Sequence, residues 1–250
     1  MIDRQAATRA RTAVMRRLRD ALRPYKDYLQ PDSEAPSWRH SRRVFERHGF
    51  RPATVFDIGV AFGTWSLYRA FPDAHYHLVD PTPESQPYMR KLAGRLRCDI
   101  HPLALGERDG EAELEVRSDI QGSTLLEEVG ERDVLRVERV PVRRFDTQFR
   151  HFDRPALCKI DVQGAELMVL AGMTGRLAEI DALIVETSTI ATVKGGAEMH
   201  DVVHFLHERG FVVADLIALK RRPLDGATAQ VDLLFVPEAS ALRADRRWSA

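Results

Sequence analysis

The chain has 250 residues, of which 44% are apolar and 30% charged, the make-up of a folded globular protein with enough length for one large α/β domain or two small ones. Its 37 basic and 37 acidic residues cancel, which argues against whole-surface attraction to nucleic acid. No run of 18 apolar residues occurs, so no membrane span is expected. Cys98 and Cys158 lie in apolar stretches and read as buried thiols of a reduced, cytoplasmic setting.

Taken in chain order, Val14, Leu18, Leu22, Tyr25 and Leu29 recur at helical spacing between arginines, with Pro24 as the kink or end of an amphipathic helix. Residues 31–36 read as a linker, and 38–48 as a second helix stopped by Gly49. Residues 1–50 are therefore read as an N-terminal helical extension and 51–250 as the main domain. The extension could pack on that domain, cover a substrate, lie on a membrane surface or join two copies as a homodimer.

From residue 54 strand and helix alternate. Strands are expected at 54–58, 75–79, 98–103, 157–160 and 182–185, and helices at 64–70, 82–96, 165–171 and 200–208. The helix at 82 has Thr82 as N-cap and Pro83 at its first position. Residues 106–142 break the rhythm with alternating strands at 111–116 and 135–142, a small β insertion. The last strands, 211–216 and 231–236, have no crossover helix between them and must pair antiparallel. Alternation of this kind builds a mostly parallel sheet covered on both faces.

Ligands of such sheets bind beyond the carboxyl ends of the strands, where strand order reverses. The first strand ends in Asp57-Ile58-Gly59-Val60-Ala61-Phe62-Gly63-Thr64, two glycines that allow a tight turn before a helix whose first N–H groups are free. The second ends in Asp80-Pro81, and Asp80 has the spacing of an acid that accepts hydrogen bonds from ribose hydroxyls. These features fit a nicotinamide-dependent dehydrogenase as well as a methyltransferase. The dinucleotide pattern fails, however, because Ala61 and Thr64 stand where glycines are required. An acid at Asp57 suits a ligand with a cationic amino-acid end, so Asp57, Gly59, Gly63, Thr64, Asp80 and Pro81 are assigned to S-adenosylmethionine.

The fourth strand ends in Lys159-Ile160-Asp161-Val162-Gln163-Gly164-Ala165-Glu166. This run resembles the K-I-D-V-E-G-x-E signature of FkbM-family methyltransferases. The resemblance extends to Val55–Gly59, to Ala104-Leu105-Gly106 and to Ile184-Val185-Glu186, over residues 52–237. It implies a class I, Rossmann-like methyltransferase fold with seven strands in the order 3-2-1-4-5-7-6, and O-methylation of a sugar or natural-product hydroxyl. The family usually has asparagine where this chain has Ala61 and glutamate where it has Gln163.

Methyl transfer to a hydroxyl needs an aligned nucleophile and a group to take its proton. Asp161 is the first candidate base and also a cofactor contact; helix capping is its competing role. Glu186 could bind substrate, and Ala104 and Leu105 are expected to pack on the adenine, with Asp99 reaching its amino group. His200 and His204 share a helical face, and His200 is carried as a catalytic candidate beside the plainer reading of an exposed face. No metal ligand is assigned, although a divalent cation between Asp161 and Glu186 is conceivable. Ser123 and Thr124 could line the site mouth or make a turn, and Gly195-Gly196 suggests a mobile lid. A non-catalytic cofactor-binding assembly domain is the remaining alternative. The expected partner is a small-molecule or glycosylated acceptor.

Overall fold

A computed structural model describes residues 36–117, 120–127 and 134–248. The helix expected around Val14–Leu29 lies outside them. In chain order the elements are α1 (Trp38–Arg47), β1 (Thr54–Ile58), α2 (Trp65–Ala70), β2 (His75–Val79), α3 (Gln86–Ala93), β3 (Arg97–His101), β4 (Ala104–Leu105), β5 (Gly110–Arg117), β6 (Val134–Arg143), α4 (Phe145–Gln148), β7 (Ala156–Ile160), α5 (Glu166–Gly172), β8 (Ala182–Ser188), α6 (Met199–His207), β9 (Phe211–Arg221) and β10 (Thr228–Pro237).

Seven of these strands form the main sheet, in the order β3-β2-β1-β7-β8-β10-β9. This differs in numbering from the expected 3-2-1-4-5-7-6, because β4, β5 and β6 leave the main sheet and form a three-stranded one of their own. Strands β1, β2, β3, β7 and β8 pair parallel, whereas β10 pairs antiparallel with both β8 and β9. The order reverses beside β1, so the carboxyl ends of β1 and β7 open a crevice there. The insertion is built from β5 and β6 paired antiparallel, with β4 parallel to β6.

Alternate residues of each central strand feed two cores, one on each face of the sheet. Phe56 and Ile58 join Phe145, Val169, Leu183 and Phe235 on one side. Val55 joins Leu67, Tyr76, Met89, Ile184 and Leu234 on the other. Phe45 of α1 belongs to this second core and is 1% exposed, and Ser41 of the same helix donates to Asp215 at 2.7 Å. No helix among the described residues is long and apolar enough to cross a membrane.

Two boundaries differ from expectation for local reasons. Thr82 does not cap a helix: its N–H and hydroxyl both go to Asp80 Oδ1, at 2.9 and 2.5 Å, which holds it in a turn. Helix α3 consequently starts later, behind Ser85. The third strand ends at His101 because the Leu103 N–H bonds back to the His101 carbonyl at 2.9 Å.

Candidate functional site

A cavity of about 630 Å³ lies at the carboxyl ends of β1, β2, β7 and β8, roofed by the insertion and by β9 and β10. One wall is the turn after β1. Gly59 and Gly63 have φ of 84° and 97°, and a Cβ on Gly59 would stand 1.8 Å from the Asp161 carbonyl oxygen, so this turn and the β7 end meet backbone to backbone. Ala61 also sits in the left-handed region, at φ 44°. Its N–H donates to Asp80 Oδ2 at 2.8 Å. With Thr82 on Oδ1, the Asp80 carboxylate meets three donors from the chain and keeps one acceptor position of about four toward the cavity.

Beneath the turn lies a buried charge group. Asp57 is fully buried and accepts hydrogen bonds from the hydroxyls of Thr64, at 3.1 Å, and Tyr68. The Lys159 ammonium stands 3.8 Å from Asp57 and 3.0 Å from Asp161. Burial pushes the Asp57 carboxyl up, against the pull of Lys159. Burial alone would lower the Lys159 ammonium, but Asp161 and Asp57 outweigh it and keep the amine charged.

Beside this turn, the ends of β7 and β8 carry two carboxyl groups. The Gln163 amide donates to both, reaching Asp161 at 2.8 Å and Glu186 at 2.6 Å. Gln230 of β10 donates to Glu186 at 2.8 Å. Burial would raise Asp161, yet the Lys159 charge and hydrogen bonds from Lys159, Gln163 and Glu186 hold it below the usual carboxylate range. Glu186 is pushed well above that range, by burial first and then by the charges of Asp161 and Asp232. The two carboxyl groups are thus pushed apart, Asp161 down and Glu186 up, the divergence expected of groups set to accept and to donate a proton. Gln163 itself is left-handed, at φ 56°. Thr124 of the insertion donates to its carbonyl at 2.9 Å, so the turn that positions Asp161 is held from above.

Of the residues expected to hold a cofactor, Gly59, Gly63, Thr64, Asp80, Pro81, Ala104, Leu105 and Asp161 line the cavity, with Glu186 facing them. Ser123 and Thr124 line it as well. Asp57 does not: its carboxylate is spent under the turn on Tyr68 and Thr64, so its expected direct contact with a cationic ligand end is corrected to support of the turn. His200 also falls away. Helix α6 turns Val202 and Leu206 inward, which leaves the His200 side chain 75% exposed beside Glu198 and Asp201, outside the cavity. Asp99 lies away from the cavity, beside His75 and His77.

Sequence reasoning missed Lys159 as a charge partner, Gln163 as a bridge, and Lys220, Gln230 and Asp232 as cavity residues. The last two had a signal: they are polar at alternate positions of an otherwise apolar strand, where one face must look into something polar.

Residues 57–213 match the family described as "Methyltransferase FkbM domain". Curated proteins yield no match. Among solved structures the chain is similar to an rRNA methylase from Streptococcus thermophilus, at 10% identity and TM-score 0.45 over 82% of this chain and 99% of that one. It is similar to magnesium protoporphyrin IX methyltransferase from Synechocystis PCC 6803, at 13% identity and TM-score 0.41 over 88% and 90%. It is also similar to 1,6-didemethyltoxoflavin-N1-methyltransferase from Burkholderia thailandensis, at 14% identity and TM-score 0.38 over 95% and 91%. Likenesses this distant say nothing of an acceptor.

Proposed function

The chain belongs to the FkbM methyltransferase family, and from that premise we propose that it transfers a methyl group from S-adenosylmethionine to a hydroxyl oxygen of a small-molecule or glycosylated acceptor. The observation that carries the oxygen specificity is the pair Asp161 and Glu186, bridged by Gln163 and facing the cavity. Membership in the family sets aside the nicotinamide-dependent reading of the glycine turn.

The residues present fit the cofactor. The remaining acceptor position of Asp80 suits a ribose hydroxyl, Leu103, Ala104 and Leu105 offer an apolar wall to an adenine, and Gly59, Gly63 and Thr64 bring the chain close to an amino-acid end. Bound there, the cofactor would supply an electrophilic methyl group. Asp161 accepts the acceptor's hydroxyl hydrogen and thereby aims an oxygen lone pair into the cavity. A carboxylate of low proton affinity suffices, because an alcohol proton becomes strongly acidic only as its oxygen gains a third bond and positive charge. Asp161 then holds that proton, with Lys159 keeping the carboxylate ionised until it is needed. Glu186, its carboxyl pushed up by burial and fixed by Gln163 and Gln230, is placed to meet a second polar atom of the acceptor. Asp232 and Lys220 extend this polar wall.

Calorimetric titration with S-adenosylmethionine and with NAD tests the cofactor. Binding of NAD alone would refute the reading. Transfer is tested with methyl-labelled S-adenosylmethionine and a panel of hydroxylated sugars and natural products. Asp161→Asn should keep cofactor binding and lose about 10²–10⁴-fold in turnover, the usual contribution of a positioned acid–base group. Cofactor binding with no transfer to any hydroxyl, in a screen that does detect transfer to nitrogen, would overturn the oxygen assignment.

A further inference from the structure

Away from the cavity, β2 and β3 place four metal-competent side chains on one face of the sheet's edge. His77 pairs with Asp99 in the register of these strands, and alternate residues point the same way, so His75, His77, Asp99 and His101 share a side. Donor atoms of His75, His77 and Asp99 all lie within 4.8 Å of one another. We propose that His75, His77 and Asp99 bind one divalent transition-metal ion of the zinc type, pinning the edge strand β3 to β2.

The donor separations suit a single ion. Zinc takes nitrogen and oxygen ligands at about 2.0–2.1 Å in a tetrahedron, whose edges are then about 3.3 Å. His75 Nε2 is 3.2 Å from Asp99 Oδ2 and His77 Nδ1 is 3.7 Å from the same oxygen. Two imidazoles and a carboxylate form a borderline set that favours zinc and its neighbours over magnesium or calcium.

The rings are held before any ion arrives. His77 stacks on Phe56, with centroids 4.9 Å apart and planes 17° apart, and Phe149 stands 5.0 Å from both His77 and His101. Access is open, because the Asp99 and His75 side chains are 58% and 36% exposed. Without a metal His75 makes an ion pair with Asp99 when charged and His77 hydrogen-bonds with His101, and that is the competing outcome.

The test uses untagged full-length protein freed of metal with a chelator. Zinc is titrated by calorimetry, and cobalt by visible absorption and by histidine NMR. One ion per chain is expected, with the strongest broadening by cobalt on the His75 and His77 ring signals. His75→Gln/Asp99→Asn, both at the open side of the site, should weaken zinc at least about tenfold, the lower range for loss of even an outer contact. His200→Gln should leave zinc binding unchanged. Far-ultraviolet circular dichroism of the double variant confirms that it folds. Absence of stoichiometric binding, or binding equally strong in the double variant, overturns the proposal. So does broadening centred on histidines other than His75 and His77.

Discussion

Gly59 and Ala61 occupy the same turn and should respond oppositely to a change in size. A Cβ at Gly59 would overlap the Asp161 carbonyl, so Gly59→Ala should cost about 3 kcal/mol or more and abolish cofactor binding. At Ala61 the left-handed backbone costs about 1–2 kcal/mol for a residue with a Cβ, whereas glycine loses only about 0.4–1 kcal/mol more chain entropy. Strain wins, and Ala61→Gly should stabilise by about 0.5–1 kcal/mol in urea unfolding. The same conformation gives a reason for asparagine at this position in relatives, since asparagine tolerates it. Glu166 supplies a pH prediction. Burial pushes its carboxyl from 4.5 to about 7, against the N–H groups of Gly164 and Val162 that it accepts at 3.0 and 3.1 Å. Between those values the folded chain holds a proton that the unfolded chain has released. Its contribution is therefore complete below pH 4.5 and lost as pH rises through 7, about 3 kcal/mol at most. Glu166→Gln keeps the accepting oxygen and should flatten the profile between pH 5 and 8; an unchanged difference between wild type and variant would refute this. The glycines and Asp80 were legible because their roles are set within a few residues. The burial of Asp57 was not, because Tyr68 and Lys159 reach it from other elements.

At the level of elements, the turn between β7 and α5 is where separate parts of the chain meet. Thr124 bonds to the Gln163 carbonyl, and the Ala197 N–H reaches the Gly164 carbonyl at 3.2 Å. Lys194 of the same loop bonds through its N–H to the Glu127 carbonyl at 2.6 Å. The insertion and the loop before α6 thus rest on the Asp161 turn and on each other. Thr124→Val keeps shape and removes two hydrogen bonds, to the Gln163 carbonyl and from the Leu126 N–H, so it should cost about 1–3 kcal/mol. It should also speed proteolysis within 106–142. An unaltered digestion pattern would show that the insertion is held by packing alone. Strands β1, β7 and β8 were readable as apolar runs, since both of their faces are covered. The start of α3 was not, because Asp80 competes for Thr82 and a three-residue motif cannot reveal its rival.

At the scale of the molecule, α1 is part of the domain's own packing. Phe45 contacts the rings of Phe50 and Phe71 at 5.5 and 5.3 Å and shares a core with β1, β9 and β10. Phe45→Ala should cost about 3–5 kcal/mol, read from the denaturant midpoint; a loss below about 1 kcal/mol would mean that α1 is an ornament. Fold class was legible because alternating strands and helices leave few solutions, while the pairing of Glu186 with Asp232, or of His77 with Asp99, depends on register between distant segments. That dependence has a temporal side. Thr54 opens β1, at the centre of the sheet, yet one of its two partners is Ala156 of β7, about a hundred residues later, and such distant closure slows folding. During synthesis the half-site around Gly59 emerges with one flank of β1 unpaired, and the surface against which Asp161 is fixed does not yet exist. A chain ended before β7 should therefore be digested rapidly and refuse S-adenosylmethionine, whereas protection in such a fragment would show that the first half folds unaided. Cofactor can be captured only after the ribosome has delivered both flanks, which makes ligand binding a late proofreading step on the finished sheet.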